Sequence, residues 1–201
     1  MTCWGCAAIF DHSLFCPKCN TLQPAPKDYF EFFGIKRHLA IDIPQLQIRF
    51  YELSRKLHPD RYGRKSAEER ALSTEATAIL NDGWRILKDP LERAEYVLNQ
   101  EGFNIAEQRS KDVPPELLEE VFELNMAIEE LREGDASAKD QLRGAHVRFL
   151  GMLALSNSDL EGLFGEWDRD GGKDGLAAIR AVLNRRRYIS NLIRDVEKEL
   201  S

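Results

Sequence analysis

Two groups of residues in this sequence are of types and spacings that could do chemistry. The first is Cys3, Cys6, Cys16 and Cys19, in the pattern C-x2-C-x9-C-x2-C. Each C-x2-C pair can set two thiolates on one side of a tight turn, and two such turns facing each other make a tetrahedral sulfur site. Zinc suits that site, and iron suits it as well. A four-thiolate site is closed, so the expected metal is structural rather than catalytic. Two disulfides would use the same residues but fit a reducing compartment poorly. A redox pair would need a βαβ context that surrounds neither C-x2-C. With four thiolates available, His12 is expected to be a loop residue and not a ligand. The intervening "AAIFDHSLF" is expected to form a short hairpin with Ile9, Phe10, Leu14 and Phe15 as its apolar side. About twenty residues cannot bury a real core, so a metal has to hold this segment.

The second group lies in "RKLHPDRYG", Arg55 to Gly63. His58 and Asp60 could be half of an acid–base site, a capped turn, or a docking element. No nucleophile or Gly-rich phosphate cradle lies nearby, and His38 and His146 are far away in sequence. A His–Asp pair alone is weak evidence for catalysis. The acidic "DRDGGKDG" is not a calcium loop, because Gly172 stands at the fifth ligand position and Ile179 at the twelfth.

The chain has 201 residues, 31% charged and 43% hydrophobic, as expected of one or two globular domains. Its net charge of -6 does not favour nucleic acid as a partner. A nucleic-acid-binding zinc ribbon is disfavoured further because Lys18 is the only basic residue before Lys27. No window approaches 18 apolar residues, so no membrane span is expected. The opening "MTCWGC" carries no secretory or organellar pattern, and the expected location is cytoplasmic.

After Cys19 and the linker "NTLQPAPK", the chain reads as almost wholly helical, with no period-two strand pattern. "DYFEFFGI" is a short apolar turn or helix ended by Gly34. "DIPQLQIRFYELSRKL" is an amphipathic helix capped by Asp42, with Leu46, Phe50, Leu53 and Leu57 on its inner stripe. Arg49, Arg55 and Lys56 fall off that stripe. A second long helix is expected from about Glu68 to Lys88, with Leu72, Ala76, Ile79, Gly83 and Leu87 inward and "KDP" ending it. "LERAEYVLNQ" is a further short helix. "NIAEQRSKDVPP" separates this unit from three more helices. The first starts after Pro115 with a core stripe of Leu117, Val121, Leu124, Ile128 and Leu131. The second spans about Ala136 to Ala154, and the third about Leu176 to Leu200. The turn-rich stretch from Ser156 to Gly175 is expected to hold at most a short helix. An antiparallel bundle is the natural solution.

Leu118, Phe122 and Met126 form a second apolar stripe on the helix after Pro115, rotated by about 100° from the first. By pattern alone it is either a partner surface rimmed by Glu119 and Glu123 or a second buried face.

The basic helix, His58-Pro59-Asp60 and the long helix ending in "NDGWRILKDPLERAEY" together resemble the J-domain, the module that activates DnaK-type chaperone ATPases. More specifically, "DYFEFFGI", "HPDRYGRKSAEE", "LNDGWRILKDPLERAEYVLNQEGF" and "RRRYISNL" look like the HscB family of J-domain co-chaperones for iron–sulfur cluster biogenesis. "CWGC" and "FCPKC" look like the four-cysteine knob of its longer members. The resemblance implies a mainly α fold with a zinc-ribbon or rubredoxin-like knob at residues 1–24. It implies a J-domain hairpin at 27–103 and a client-binding three-helix bundle at 112–201. It implies a protein that is not an enzyme. His58, Pro59 and Asp60 would contact an HscA- or DnaK-type chaperone, steered by Arg49, Arg55, Lys56 and Arg61. Residues 45–70 hold seven Lys/Arg against four Asp/Glu, a local positive face on an acidic chain. Leu118, Glu119, Phe122, Glu123 and Tyr188 would bind the iron–sulfur scaffold IscU. Glu119 departs from the family, since a relative carries an apolar residue there. A general J-protein with another client is the alternative. The knob is open to three roles: stabilising the N-terminus, homodimer contact, or metal and redox sensing.

Overall fold

The computed structural model describes residues 1–11, 13–103 and 115–201; the expectations for His12 and most of "NIAEQRSKDVPP" lie outside the described residues. The fold is mainly α, with seven α-helices among the described residues and no strand beyond two isolated bridges, Thr2 with Ile9 and Phe15 with Leu22. Contacts divide the chain into two compact units, Met1–Arg93 and Ala94–Ser201.

The first unit begins with the cysteine knob. Two equivalent turns build it. In one, the Ala7 amide donates to the Cys3 carbonyl across 3.0 Å; in the other, the Asn20 amide donates to the Cys16 carbonyl across 2.8 Å. Each turn closes on a left-handed residue, Ala7 at φ 59° and Asn20 at φ 58°. Asn tolerates that conformation, whereas Ala adopts it at a cost of roughly 1 kcal/mol. Ile9 is 87% exposed, so the apolar side of the loop consists of Phe10, Leu14 and Phe15 without it.

α1 (Tyr29–Phe33) is capped by the Asp28 carboxylate and ended by Gly34 at φ 64°. α2 (Ile43–Leu57) starts on the Asp42 side chain, and α3 (Ala67–Lys88) on Ser66. α2 and α3 form the hairpin, with Leu46, Leu53 and Leu57 buried against Ala76, Leu80 and Leu87. The rings of Phe50 and Trp84 stack at 5.1 Å between them. Ser73 is also fully buried, a polar position inside the α3 core stripe. α1 lies on α3 at Gly83, where a Cβ would meet the Phe33 and Tyr29 rings at 2.9 Å. α4 (Pro90–Gln100) follows, its first turn capped by Asp89. Arg93, 4% exposed, ties this corner together by donating to the carbonyls of Leu39 and Leu87.

The second unit holds α5 (Leu118–Arg132), α6 (Ala138–Asp170) and α7 (Lys173–Leu200) around Leu124, Phe149, Ile189 and Val196. Polar side-chain pairs set the directions. His146 meets Glu197 while Asp159 meets Arg185, so α6 and α7 run antiparallel. Gln141 meets Glu130 while Arg148 meets Glu123, so α5 and α6 do too. The stretch from Ser156 to Asp170 is not turn-rich: α6 runs through it without a break. Ser156, Leu160, Phe164 and Trp167 continue its buried stripe, and the Ser156 hydroxyl bonds back to the Met152 carbonyl at 3.0 Å. Its polar residues lie outside that stripe, where Asn157 and Asp159 accept from Arg186 and Arg185 at 2.7 Å. The helix stops only at Gly171, with φ 66°.

Candidate functional site

The residues singled out by spacing fall into three places. In the knob, the four cysteine sulfurs lie within 4.8 Å of one another. Cys3 and Cys19 are 3.6 Å apart, and Cys6 and Cys16 are 3.7 Å apart. A tetrahedron of sulfurs at about 2.3 Å from an ion has edges of about 3.8 Å, so the four sulfurs fit a metal. Their electrostatics fit as well. The Thr21 hydroxyl, 3.1 Å from Cys19 Sγ, and the Thr21 backbone hold the Cys19 thiol down at about 6. For Cys6, the backbone bond to Ala8 works downward, but the neighbouring sulfurs and burial push the thiol up to about 12. Four crowded sulfurs therefore retain a proton until a cation replaces it.

Gln23 is a supporting residue that spacing did not reveal. It is 1% exposed, and its amide donates to Cys3 Sγ at 3.4 Å and to the Thr21 carbonyl at 2.9 Å. Its own carbonyl oxygen accepts from the Trp4 amide at 3.4 Å. The only sequence signal was a Gln just beyond the second C-x2-C, which is too common to single out.

At the hairpin tip, His58 ends α2 and Pro59–Tyr62 form one 3-10 turn. Pro59 has no N–H to offer to the last carbonyls of α2. Side chains from the turn itself and from α3 take them instead. Arg61 donates to Arg55 at 3.3 Å and the Tyr62 hydroxyl to Lys56 at 3.2 Å. Ser73 donates to Leu57 at 2.6 Å, and Thr77 to the same oxygen at 3.2 Å. The loop is thus anchored from below while its tip stays in solvent: the His58 side chain is 56% exposed and that of Asp60 90%. His58 Nδ1 accepts from the Asp60 amide at 3.3 Å and lies 3.6 Å from the Asp60 carboxylate. Arg55, Lys56 and Arg61 are exposed. Arg49 is not free of the fold. Its Nε donates to the Phe33 carbonyl at 3.1 Å and its guanidinium pairs with Glu52 at 3.2 Å, so it also fastens α1 to α2. No nucleophile is hydrogen-bonded to His58 or Asp60 among the described contacts.

On α5, Leu118 and Phe122 are 55% and 65% exposed, and Met126 is also exposed. The second stripe is an outward strip, while Leu124 and Ala127 point into the bundle. Glu119 is exposed beside it, and Glu123 pairs with Arg148 at 3.2 Å. Tyr188 comes from α7 and packs half-buried against the bundle core. Burial, and then the Asp195 carboxylate, push its hydroxyl above the usual range, so it is a neutral phenol. The pair Arg132–Glu199 ties the end of α5 to the end of α7, and Val121 and Tyr188 both pack against the same bundle core. Among the described residues, no helix is long and apolar enough to cross a membrane.

Comparison with known proteins agrees with this anatomy. The profile of the HSCB C-terminal oligomerisation domain matches residues 113–197. The iron-sulfur cluster co-chaperone protein HscB of Homo sapiens is 32% identical over 144 residues, covering 69% of this chain and 61% of that protein. The Mus musculus protein of the same name is 29% identical over 94% of this chain and 79% of its own length. The Arabidopsis thaliana HscB homolog is 35% identical over 70% of this chain and 55% of its length. The chain thus spans less than two thirds of the human and plant relatives. Among solved structures, human HscB superposes with a TM-score of 0.68 over 98% of both chains at 24% identity. HscB from Vibrio cholerae gives 0.58 over 85% of this chain and 96% of its own, at 26% identity. With a matching C-terminal domain profile, matching relatives and a matching fold, the chain is HscB-like.

Proposed function

We infer that this chain is a J-domain co-chaperone rather than an enzyme. It stimulates the ATPase of an HscA- or DnaK-type chaperone and delivers an IscU-type scaffold during iron–sulfur cluster assembly. The observation that carries this reading is the hairpin tip. His58, Pro59 and Asp60 stand in solvent on a loop whose four anchoring bonds come from Arg61, Tyr62, Ser73 and Thr77. An acid–base pair would be turned toward a pocket and a nucleophile; this pair is turned outward, as a docking element is. The names of the relatives support the same reading.

In this reading residues 27–103 are the J-domain. His58 and Asp60 act on the partner's ATPase domain, with Arg55, Lys56, Arg61 and the partly engaged Arg49 steering an acidic surface toward them. Residues 112–201 carry the client, on Leu118, Glu119, Phe122, Glu123 and Tyr188. Exposed Leu118 and Phe122 are the apolar anchors and Glu119 and Glu123 the polar rim. Cys3, Cys6, Cys16 and Cys19 in the 1–24 knob hold zinc or iron, which supplies the cross-link that a segment of this size needs to stay folded. The protein works in the cytoplasm, without nucleic acid or membrane, and the knob is the candidate contact for a homodimer.

The test is chaperone ATPase turnover with this protein, with and without IscU. Stimulation that rises with IscU is expected. Replacing Leu118 and Phe122 with Ala removes the IscU dependence and leaves the stimulation by the J-domain. Unaltered IscU binding in that double variant would point to a general J-protein with another client.

A further inference from the structure

The knob lies against the hairpin within the first unit, and two clefts mark the junction. One, of about 550 Å³, is lined by Phe15 and Asn20 from the knob and by Lys56, Arg61, Tyr62 and Lys65 from the hairpin. The other, also about 550 Å³, brings Lys27, Arg49 and Lys56 together around Phe15 and Leu53. Phe15 and Lys56 line both, so the clefts meet in one trough. Five cations face it, against the two carboxylates Glu31 and Glu69. Its floor is partly apolar, since Tyr62 and Leu53 are buried and Phe15 is half-buried. The trough begins at Arg61, the residue next to Asp60.

We propose that the four-cysteine knob is part of the docking surface: Phe15 and Asn20 form one wall of a basic trough that takes an extended acidic segment of the chaperone partner. This rests on the co-chaperone reading and names what the knob adds to it. The charge balance selects an acidic occupant, and the aromatic wall selects a peptide over a small anion. The metal site sets the position of the wall. Phe15 directly precedes Cys16, Asn20 directly follows Cys19, and Phe15 is bridged to Leu22. Loss of the metal releases that wall while α2 and α3 keep their own core.

The test uses the full, metal-loaded chain and a fluorescein-labelled decaglutamate peptide, read by anisotropy at low salt. Lys65→Glu and Phe15→Ala are expected to weaken binding roughly three- to tenfold, as does removal of the metal. Lys18→Glu, a knob lysine outside the trough, is expected to change it much less, and metal content in Phe15→Ala is expected to stay at the wild-type level. Equal peptide binding by wild type, Phe15→Ala and Lys65→Glu overturns the proposal, as does an equal loss with Lys18→Glu. Chaperone ATPase stimulation is titrated in parallel. A raised half-maximal concentration with an unchanged maximum supports the trough, and an unchanged half-maximal concentration in both variants refutes it. Peptide binding that depends on Phe15, with no stimulation by wild type, refutes the co-chaperone reading and leaves the trough standing.

Discussion

The Ser73 hydroxyl donates to the Leu57 carbonyl across 2.6 Å, joining the first buried position of α3 to the last turn of α2. Ser73 is fully buried, so this bond has no water to replace it. It fixes where α2 ends and hence where His58 points. Ser73→Ala removes the donor and leaves the Leu57 oxygen to Thr77 alone. We expect a loss of about 1–2 kcal/mol in urea unfolding, with normal helix content. The weaker anchor is also expected to lower chaperone stimulation, and Ser73→Thr to recover less than wild type because its extra methyl must enter a position with 0% exposure.

Gly83 sets α1 on α3. Ala is the better helix former by about 1 kcal/mol, so in an open helix Gly83→Ala would stabilise. Here the added Cβ would stand 2.9 Å from two aromatic rings. The expected net effect is destabilisation of roughly 1–3 kcal/mol, measured by thermal unfolding. A stabilised variant would mean that α1 does not pack closely on this face.

Two phenylalanines of the C-terminal unit separate stability from binding. Phe149 is fully buried in the bundle, and Phe149→Ala is expected to cost about 3–5 kcal/mol. Phe122 is 65% exposed, and Phe122→Ala is expected to stay within about 0.5 kcal/mol of wild type. Calorimetric titration against IscU is expected to show weaker binding for Phe122→Ala despite its intact fold.

Thr21 favours the Cys19 thiolate, which competes with protons for the metal. The Thr21 bonds hold that thiol at about 6, so the thiolate is present above that pH and lost below it. Thr21→Val removes the hydroxyl and raises the thiol toward its ordinary value. Cobalt-substituted protein followed by its thiolate charge-transfer absorption is therefore expected to release metal at a higher pH in the variant. An unshifted acid midpoint would show that Thr21 does not tune the site.

Much of the fold and site was legible because it is written in local chemistry. C-x2-C pairs imply facing turns, Asp42 and Ser66 cap the helices they precede, and the Leu46–Leu57 stripe specifies the buried face of α2. What the sequence did not reveal depends on distant partners. Ser73, Gln23 and Arg93 are polar residues whose burial is satisfied by backbone carbonyls or sulfur far along the chain. Ser156 to Asp170 carries turn-forming residues, yet it is helical because Leu160, Phe164 and Trp167 bury against α7 and Arg185 and Arg186 bind its polar edge. The second stripe on α5 was ambiguous because periodicity shows that two faces are apolar, and only the packing shows which one is covered.

The most direct measurement of the central claim is steady-state ATP hydrolysis by the HscA- or DnaK-type chaperone with wild type and with His58→Gln. Among the described contacts, the His58 ring meets the loop through Asp60 alone, its amide at 3.3 Å and its carboxylate at 3.6 Å, and the side chain is 56% exposed. Helix content and unfolding midpoint should therefore match wild type. The account predicts that stimulation falls to the level of the chaperone alone while IscU binding is retained. Normal stimulation by a folded His58→Gln protein would contradict it.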